Sequence, residues 1–91
     1  MYYDAKRVFF DCEVRWQKDG TIVPAAVYWP DRSGRMIRHE VTAFEGRTDT
    51  EVLSESGCTG RRFTVHIGGK KRCLYYERKT GRWFADIIRS T

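Results

Sequence analysis

The sequence predicts an all-β fold: one small domain over residues 1–91, built as a six-stranded, strongly bent sheet or a partly open barrel of the SH3-like or OB-like kind. Two observations predict it. Apolar and polar residues alternate along most of the chain, and glycine-containing turns separate the alternating runs. A chain of 91 residues has a thin core, so every inward aromatic side chain matters for stability.

The first strand is predicted over residues 8–16, where one face carries Val8, Phe10, Cys12, Val14 and Trp16, and the other carries Phe9, Asp11, Glu13 and Arg15. A turn at Gly20 leads to a second strand over 22–29. Pro24 in that strand indicates a sheet edge or a β-bulge, because proline has no N–H to donate.

A third strand is predicted over residues 36–44, where the alternation is weaker. Residues 45–60 show no sustained period, so we expect one long loop there. A connection of that length in a small domain is usually functional or mobile.

Three more strands are predicted over residues 61–67, 70–76 and 83–88. Gly68 and Gly69 suit a two-residue type I′ turn, which needs positive φ twice. That turn fixes the register, and the inward face it predicts carries Phe63, Val65, Ile67, Leu74, Tyr76, Trp83, Ala85 and Ile87. On the outward face we expect Arg62, Tyr75 and Phe84 to form one row, and Cys73 to lie opposite Asp86.

Charge is distributed unevenly along the chain, whose net charge is +5. Residues 1–60 carry 8 Lys/Arg and 10 Asp/Glu, whereas residues 61–91 carry 9 Lys/Arg and only 2 Asp/Glu. A basic C-terminal third makes nucleic acid, another anionic surface or an acidic protein a plausible partner and selects none of them.

The cellular location is predicted from what the sequence lacks. The first ten residues contain Asp4, Lys6 and Arg7 rather than the uninterrupted apolar run of a signal peptide, and no stretch is long enough to span a bilayer. Three cysteines without C-x-x-C spacing fit a reducing compartment. We therefore expect a cytoplasmic protein that does not associate with membranes.

Two stretches, "DGTIVPAAVYWPD" (residues 19–31) and "GCTGRRFTVHIGGKKRCLYYERKTGRWF" (residues 57–84), carry a family resemblance. The chain resembles a group of short, uncharacterised all-β proteins of anaerobic Gram-positive bacteria, over roughly residues 8–86. The last turn, "ERKTG", is longer than the acidic-plus-glycine turn of that group. The resemblance implies an all-β fold and no activity, because the group has none assigned.

The outward row of the C-terminal strands is the predicted binding site. Tyr75 and Phe84 form an aromatic pair on a positive background, which is typical of surfaces that stack bases and hold phosphates. The predicted contacts are Arg61, Arg62, His66, Lys71, Arg72, Tyr75 and Phe84. The leading hypothesis is a non-enzymatic module that binds single-stranded nucleic acid, and the alternative is a protein-interaction or homodimer face that uses the same aromatic pair.

Other interpretations of this face need neither partner. Cross-strand aromatic pairs stabilise sheets by themselves, and the N-terminal segment or the 45–60 loop could cover them. His66, Cys73 and Asp86 share the face, but a flat sheet without a pocket is a poor place for a nucleophile and its base. No residue spacing indicates a metal site, and we expect no enzyme activity, no metal and no cofactor.

Overall fold

The computed structural model describes the backbone of residues 3–90 and the side chains of residues 4–88. Within this part of the chain every regular element is a strand, so the predicted all-β class is confirmed. The strands are β1 (Tyr3–Trp16), β2 (Ile22–Pro30), β3 (Met36–Glu40), β4 (Ala43–Arg47), β5 (Val52–Leu53), β6 (Thr59–Ile67), β7 (Lys70–Glu77) and β8 (Arg82–Ser90).

The strands form one strongly curled sheet, a half-barrel, with the order β3-β2-β1-β8-β7-β6-β4 and β5 added to β6. Every pair is antiparallel. The two ends of this order, β3 and β4, are consecutive in the chain. The backbone N–H of Val41 donates to the carbonyl of Ala25 in β2, and that of Thr42 donates to the carbonyl of His66 in β6.

This change of partner explains why the predicted number of six strands is wrong. The run 36–44 is interrupted at residues 41 and 42, because its first half pairs with β2 and its second half with β6. The predicted loop over 45–60 contains the end of β4 and the short β5, which pairs with the first residues of β6. The alternation of apolar and polar residues does not reveal where a run of residues stops pairing with one strand and begins to pair with another.

Pro24 lies at the predicted irregularity. Val14 of β1 pairs with Pro24, whereas the preceding Glu13 pairs with Ala26, so Ala25 is the extra residue of a β-bulge. The carbonyl of this extra residue accepts the hydrogen bond from Val41. The bulge therefore bends β2 where β3 crosses over towards β4.

The hairpin of β6 and β7 has the predicted turn, with Gly68 at φ 58° and Gly69 at φ 75°. The predicted register is confirmed from Ile67↔Lys70 to Arg62↔Tyr75, and in the β7–β8 pair from Glu77↔Arg82 to Tyr75↔Phe84. The predicted pairing of Cys73 with Asp86 is wrong, because the β7–β8 ladder ends at Tyr75↔Phe84.

The core lies on the concave inner face and consists of Val27, Phe63, Val65, Leu74 and Trp83, with partly buried side chains around them. The prediction that Ile87 belongs to this core is wrong, since 36% of it is exposed. Beyond Phe84, β8 pairs with β1 and no longer with β7 within the described residues, so this part of β8 has little to pack against.

Candidate anion-binding surface

The outward face of the C-terminal strands carries a row of four residues rather than the predicted three. Arg62 pairs with Tyr75 and Tyr75 pairs with Phe84, as predicted, and Phe84 then pairs with Phe9 of β1. The rings of Tyr75 and Phe84 are stacked with centroids 5.2 Å apart, and Phe9 meets Phe84 edge-on at 6.1 Å. Phe9, Tyr75 and Phe84 are called the outer aromatic cluster below.

The outer aromatic cluster is not an open platform. Phe84 has no exposed surface and Tyr75 only 6%. A base needs a free ring face to stack on, so the prediction that Tyr75 and Phe84 are stacking groups is wrong for this structure. Burial also raises the pKa of the Tyr75 hydroxyl, an effect that Arg62 partly offsets.

Gly60 is the residue that lets the cluster close. A Cβ at this position would lie 3.0 Å from Cε2 of Phe84 and 3.1 Å from Cβ of Tyr75. These distances are tighter than most real Cβ contacts, so a side chain here would force the rings to shift by a few tenths of an ångström. The first residues of β6 therefore pack directly on the aromatic pair through bare backbone.

Two guanidinium groups cover the other side of the cluster. Arg82 lies 3.5 Å from the centroid of the Phe9 ring, and Arg7 lies 4.5 Å from Phe9 and 5.5 Å from Phe84. Arg7 also donates to a carboxylate oxygen of Glu77 at 3.0 Å. These cations stabilise aromatic rings by a cation–π interaction and are directed at the protein itself.

The structure places the predicted arginine and lysine contacts in three different environments. Arg61 is held by the fold, since its Nε donates to the carbonyl of Thr48 at 2.7 Å. Arg72 is exposed near the tip of the β6–β7 hairpin. Arg62 and Lys71 lie on the outward face and border the same shallow depression.

This basic depression lies over β4, β6 and β7 and encloses about 270 Å³. Its lining residues are Glu45, Gly46, Arg47, Thr48, Arg62, Thr64 and Lys71. Two cationic side chains, those of Arg62 and Lys71, therefore lie beside one carboxylate, and two threonines add hydroxyl groups. Arg47 pairs with the core residue Phe63, so the register places its side chain on the inner face, and its charge acts on Asp19. The sequence pattern did not indicate Arg47, because this residue lies in the segment predicted as a loop.

Thr48 fixes one wall of the basic depression. Its backbone N–H donates to the carbonyl of Arg62 at 2.9 Å, and its Oγ1 accepts from the backbone N–H of Arg62 at 3.0 Å. These two bonds continue the β4–β6 pairing past Arg47. The backbone that presents Arg47 and Arg62 is therefore fixed by reciprocal hydrogen bonds.

His66 lies beside the basic depression and contacts the carboxylate of Glu45 through Nε2. Lys71 is 3.4 Å from the other carboxylate oxygen of the same residue. The hydrogen bond with His66, and to a smaller extent the contact with Lys71, lower the pKa of the Glu45 carboxyl. Within the described side chains, Arg47 and Arg62 form no ion pair with Glu45. Arg62 interacts with the hydroxyl of Tyr75, and the charge of Arg47 acts on Asp19.

His66, Cys73 and Asp86 do not form a linked set in the described structure. Asp86 accepts hydrogen bonds from the backbone N–H and the hydroxyl of Ser56, at 2.8 and 2.7 Å, while His66 contacts Glu45. Partial burial opposes ionisation of Asp86, but the bonds from Ser56 outweigh it and lower the pKa of the carboxyl. This pair fastens the 54–58 segment beside β8.

The three cysteines are free thiols. Cys12 packs against the core, and its burial raises the pKa of the thiol to about 12, so it is a neutral thiol at physiological pH. Among residues 4–88, no group of three His, Cys, Asp or Glu side chains is arranged to hold a metal ion.

Comparisons of the chain with protein-family models, with curated proteins and with solved structures found no match. In the described part of the chain there is no helix long and apolar enough to cross a membrane.

Proposed function

We propose that the protein is a non-enzymatic binding module whose basic depression holds the phosphate backbone of a nucleic acid. The observation that carries the proposal is that Arg62 and Lys71 line one depression on the outward face, with a single carboxylate beside them. Arginine and lysine contacts to phosphates supply most of the sequence-independent affinity for nucleic acids. The excess of positive charge in residues 61–91 adds a favourable long-range field.

Burial of the outer aromatic cluster limits the proposed binding to contacts with phosphates. The sequence-based hypothesis combined phosphate contacts with base stacking, and stacking was its reason for preferring single strands. With Tyr75 and Phe84 covered, phosphate contacts remain and base contacts do not. We therefore expect binding that depends on salt and hardly on base sequence. The same burial removes the support for a homodimer face built on this aromatic pair.

A charge-reversal experiment tests this function. The double variant Arg62→Glu/Lys71→Glu changes two cations of the basic depression, and Lys18→Glu/Arg32→Glu makes the same change of net charge in two exposed turns. Fluorescence anisotropy would measure the affinity for a labelled 20-mer, as single strand and as duplex, from low to physiological salt. For every phosphate that the variant no longer neutralises, the slope of log K against log salt should fall by about 0.7 for a single strand and about 0.9 for a duplex.

The expected result is binding by the wild type at low salt, a shallower slope in the depression variant, and a smaller change in the turn variant. If both variants weaken binding of the 20-mer equally, the net charge of the protein accounts for the affinity and the basic depression does not. A wild-type protein that leaves the anisotropy unchanged at low salt would contradict the proposal outright. A strong preference among homopolymeric single strands would contradict the absence of base contacts.

A further inference from the structure

His66 lies beside the basic depression, and a histidine side chain changes charge between about pH 5 and 8. The backbone of His66 is fixed on both sides. Its carbonyl accepts hydrogen bonds from the backbone N–H and the hydroxyl of Thr42, at 2.9 and 3.1 Å. The register pairs it with Ala43 of β4 and with Lys71 of β7. These backbone contacts hold the imidazole in place whatever its charge.

Glu45 reaches the imidazole from a second β-bulge. The pairing of β4 with β6 shifts by one residue between Phe44 and Gly46, so Glu45 is the extra residue of this bulge. Phe44 packs against the core, and the alternation therefore directs Glu45 to the outer face. There one carboxylate oxygen contacts Nε2 of His66, and the other lies 3.4 Å from Nζ of Lys71. A single carboxylate is thus shared by an imidazole and an ammonium group.

The charged and titratable groups near His66 come from both neighbouring strands and from its own. Glu45 faces it from β4, and Lys71 faces it from β7. On the same face, the free thiol of Cys73 lies two positions further along β7, and Arg62 lies four positions back on β6. The two cations and one anion of this group leave one net positive charge when the imidazole is neutral. Protonation of the imidazole doubles that charge.

The contacts of Glu45 are open to solvent. The exposed fractions of the side chains are 35% for His66, 42% for Glu45 and 62% for Lys71. Ion pairs this exposed contribute little to stability, so an anion from solution can displace the carboxylate at small cost. A phosphate oxygen accepts the same charge-assisted hydrogen bonds as a carboxylate oxygen. In the free protein Glu45 therefore occupies the position that a phosphate would take between His66 and Lys71.

We propose that Glu45 competes with phosphate for Lys71 and His66, and that protonation of His66 strengthens phosphate binding at the basic depression. When the imidazole is neutral, the carboxylate is balanced by Lys71. When the imidazole is protonated, it balances the carboxylate itself, and Lys71 becomes free for a phosphate. The hydrogen bond with His66 lowers the pKa of Glu45, so the carboxyl stays ionised while the imidazole titrates. The inference rests on the proposed function, because it concerns the regulation of the same depression.

Fluorescence anisotropy with a labelled oligothymidylate 20-mer tests the inference, because thymine does not titrate between about pH 5.5 and 8. The wild type should bind about two- to fivefold more tightly at the lower pH, with a slope of log K against log salt steeper by up to about 0.7. His66→Gln should bind at both pH values as weakly as the wild type does at about pH 8. His66→Lys, whose charge is permanent, should bind at both values as tightly as the wild type does at about pH 5.5. His39→Gln changes the other histidine, on β3, and should keep the wild-type pH dependence.

Removal of the competing carboxylate gives a second measurement. Glu45→Gln should bind the 20-mer about two- to fivefold more tightly than the wild type at about pH 8, whereas Glu40→Gln, the same change of charge at an exposed position of β3, should have a smaller effect. Equal effects of these two variants would overturn the inference, and so would a pH dependence that His66→Gln retains. Wild-type binding that is equal at both pH values would overturn the inference and leave the proposed function intact. Absence of binding at both pH values would overturn the proposed function and the inference with it.

Discussion

The outer aromatic cluster can be compared with an open cavity of about 600 Å³ whose lining includes Phe10, Trp16 and Trp83. The same strand, β1, helps to build both aromatic regions, yet one is covered and the other is open. Phe9 contributes to the cluster, where Phe84 is fully buried. Trp16 lies at the rim of the cavity and is 72% exposed. The difference follows from the neighbours of β1: where β8 pairs with it, β7 and β6 follow and close the surface, and where β8 has not begun, the surface stays open.

This contrast shows that the alternation of apolar and polar residues along a strand does not tell whether either face of the strand is covered. Alternation determines which side chains share a face, and it correctly grouped Arg62, Tyr75 and Phe84. Whether that face is covered depends on distant parts of the chain, here Gly60, Arg7 and Arg82. A basic, aromatic row can therefore be a scaffold although its composition suits a binding surface.

The largest expected effect comes from truncating a ring in each region. Phe84→Ala should lower the free energy of unfolding by about 3–5 kcal/mol, because it empties a fully buried site. Trp16→Ala should cost less than about 1 kcal/mol, because most of that ring is already in water. Urea denaturation would measure both, with Phe84→Leu as an intermediate substitution in case the alanine variant does not fold. Equal losses at the two positions would show that the cavity is closed in solution.

A smaller effect is expected from filling the space at Gly60. Gly60→Ala should destabilise by about 1–3 kcal/mol, because its Cβ would press on Phe84 and Tyr75. Thr59→Ala, at the exposed neighbouring position, is the control. Phe84→Leu shortens the side chain that faces Gly60. The double variant Gly60→Ala/Phe84→Leu should therefore lose less free energy of unfolding than the sum of the losses in the two single variants. Strict additivity would mean that Gly60 does not contact the ring.

The smallest effect concerns the 54–58 segment, which Asp86 fastens beside the cluster. The pKa of Asp86 is lowered in the folded state, so its contribution to stability is present above the unfolded pKa, near pH 4, and is lost as the pH falls through the lower folded value. Asp86→Asn should therefore destabilise slightly at about pH 6 and make little difference at about pH 2. Urea denaturation midpoints at both pH values would measure this loss of stability, with the exposed Asp49→Asn as control. A difference between the wild type and Asp86→Asn that grows in acid would contradict the assignment.

Local rules predicted the parts of the fold that depend on neighbouring residues. The turn at Gly68 and Gly69 and the register that follows from it were predicted correctly, because two consecutive residues at positive φ leave few turn geometries. Pro24 likewise indicated a sheet edge or a bulge, because proline has no N–H to donate, and the structure has the bulge.

The features that sequence patterns did not predict depend on pairing over long distances. The division of residues 36–47 between β2 and β6 cannot be seen in an alternating pattern, since a change of pairing partner does not alter which residues face the core. Arg47 could not be placed beside Arg62 without knowing that β4 pairs with β6. The alternation of the first strand places Phe9 on the face opposite Phe10, but its contact with Phe84 follows from the β1–β8 pairing, which no local signal gives.

The ladder between β1 and β8 also governs how this chain folds. The β6–β7 hairpin closes through two residues, whereas Arg7 and Glu77, which bridge the first and seventh strands, are 70 positions apart. Closing a long loop costs more entropy than closing a short one, and sheets rich in distant pairings form slowly. The hairpins can form early, but Phe9 reaches Phe84 only when the first and last strands meet. We therefore expect that meeting to limit the folding rate.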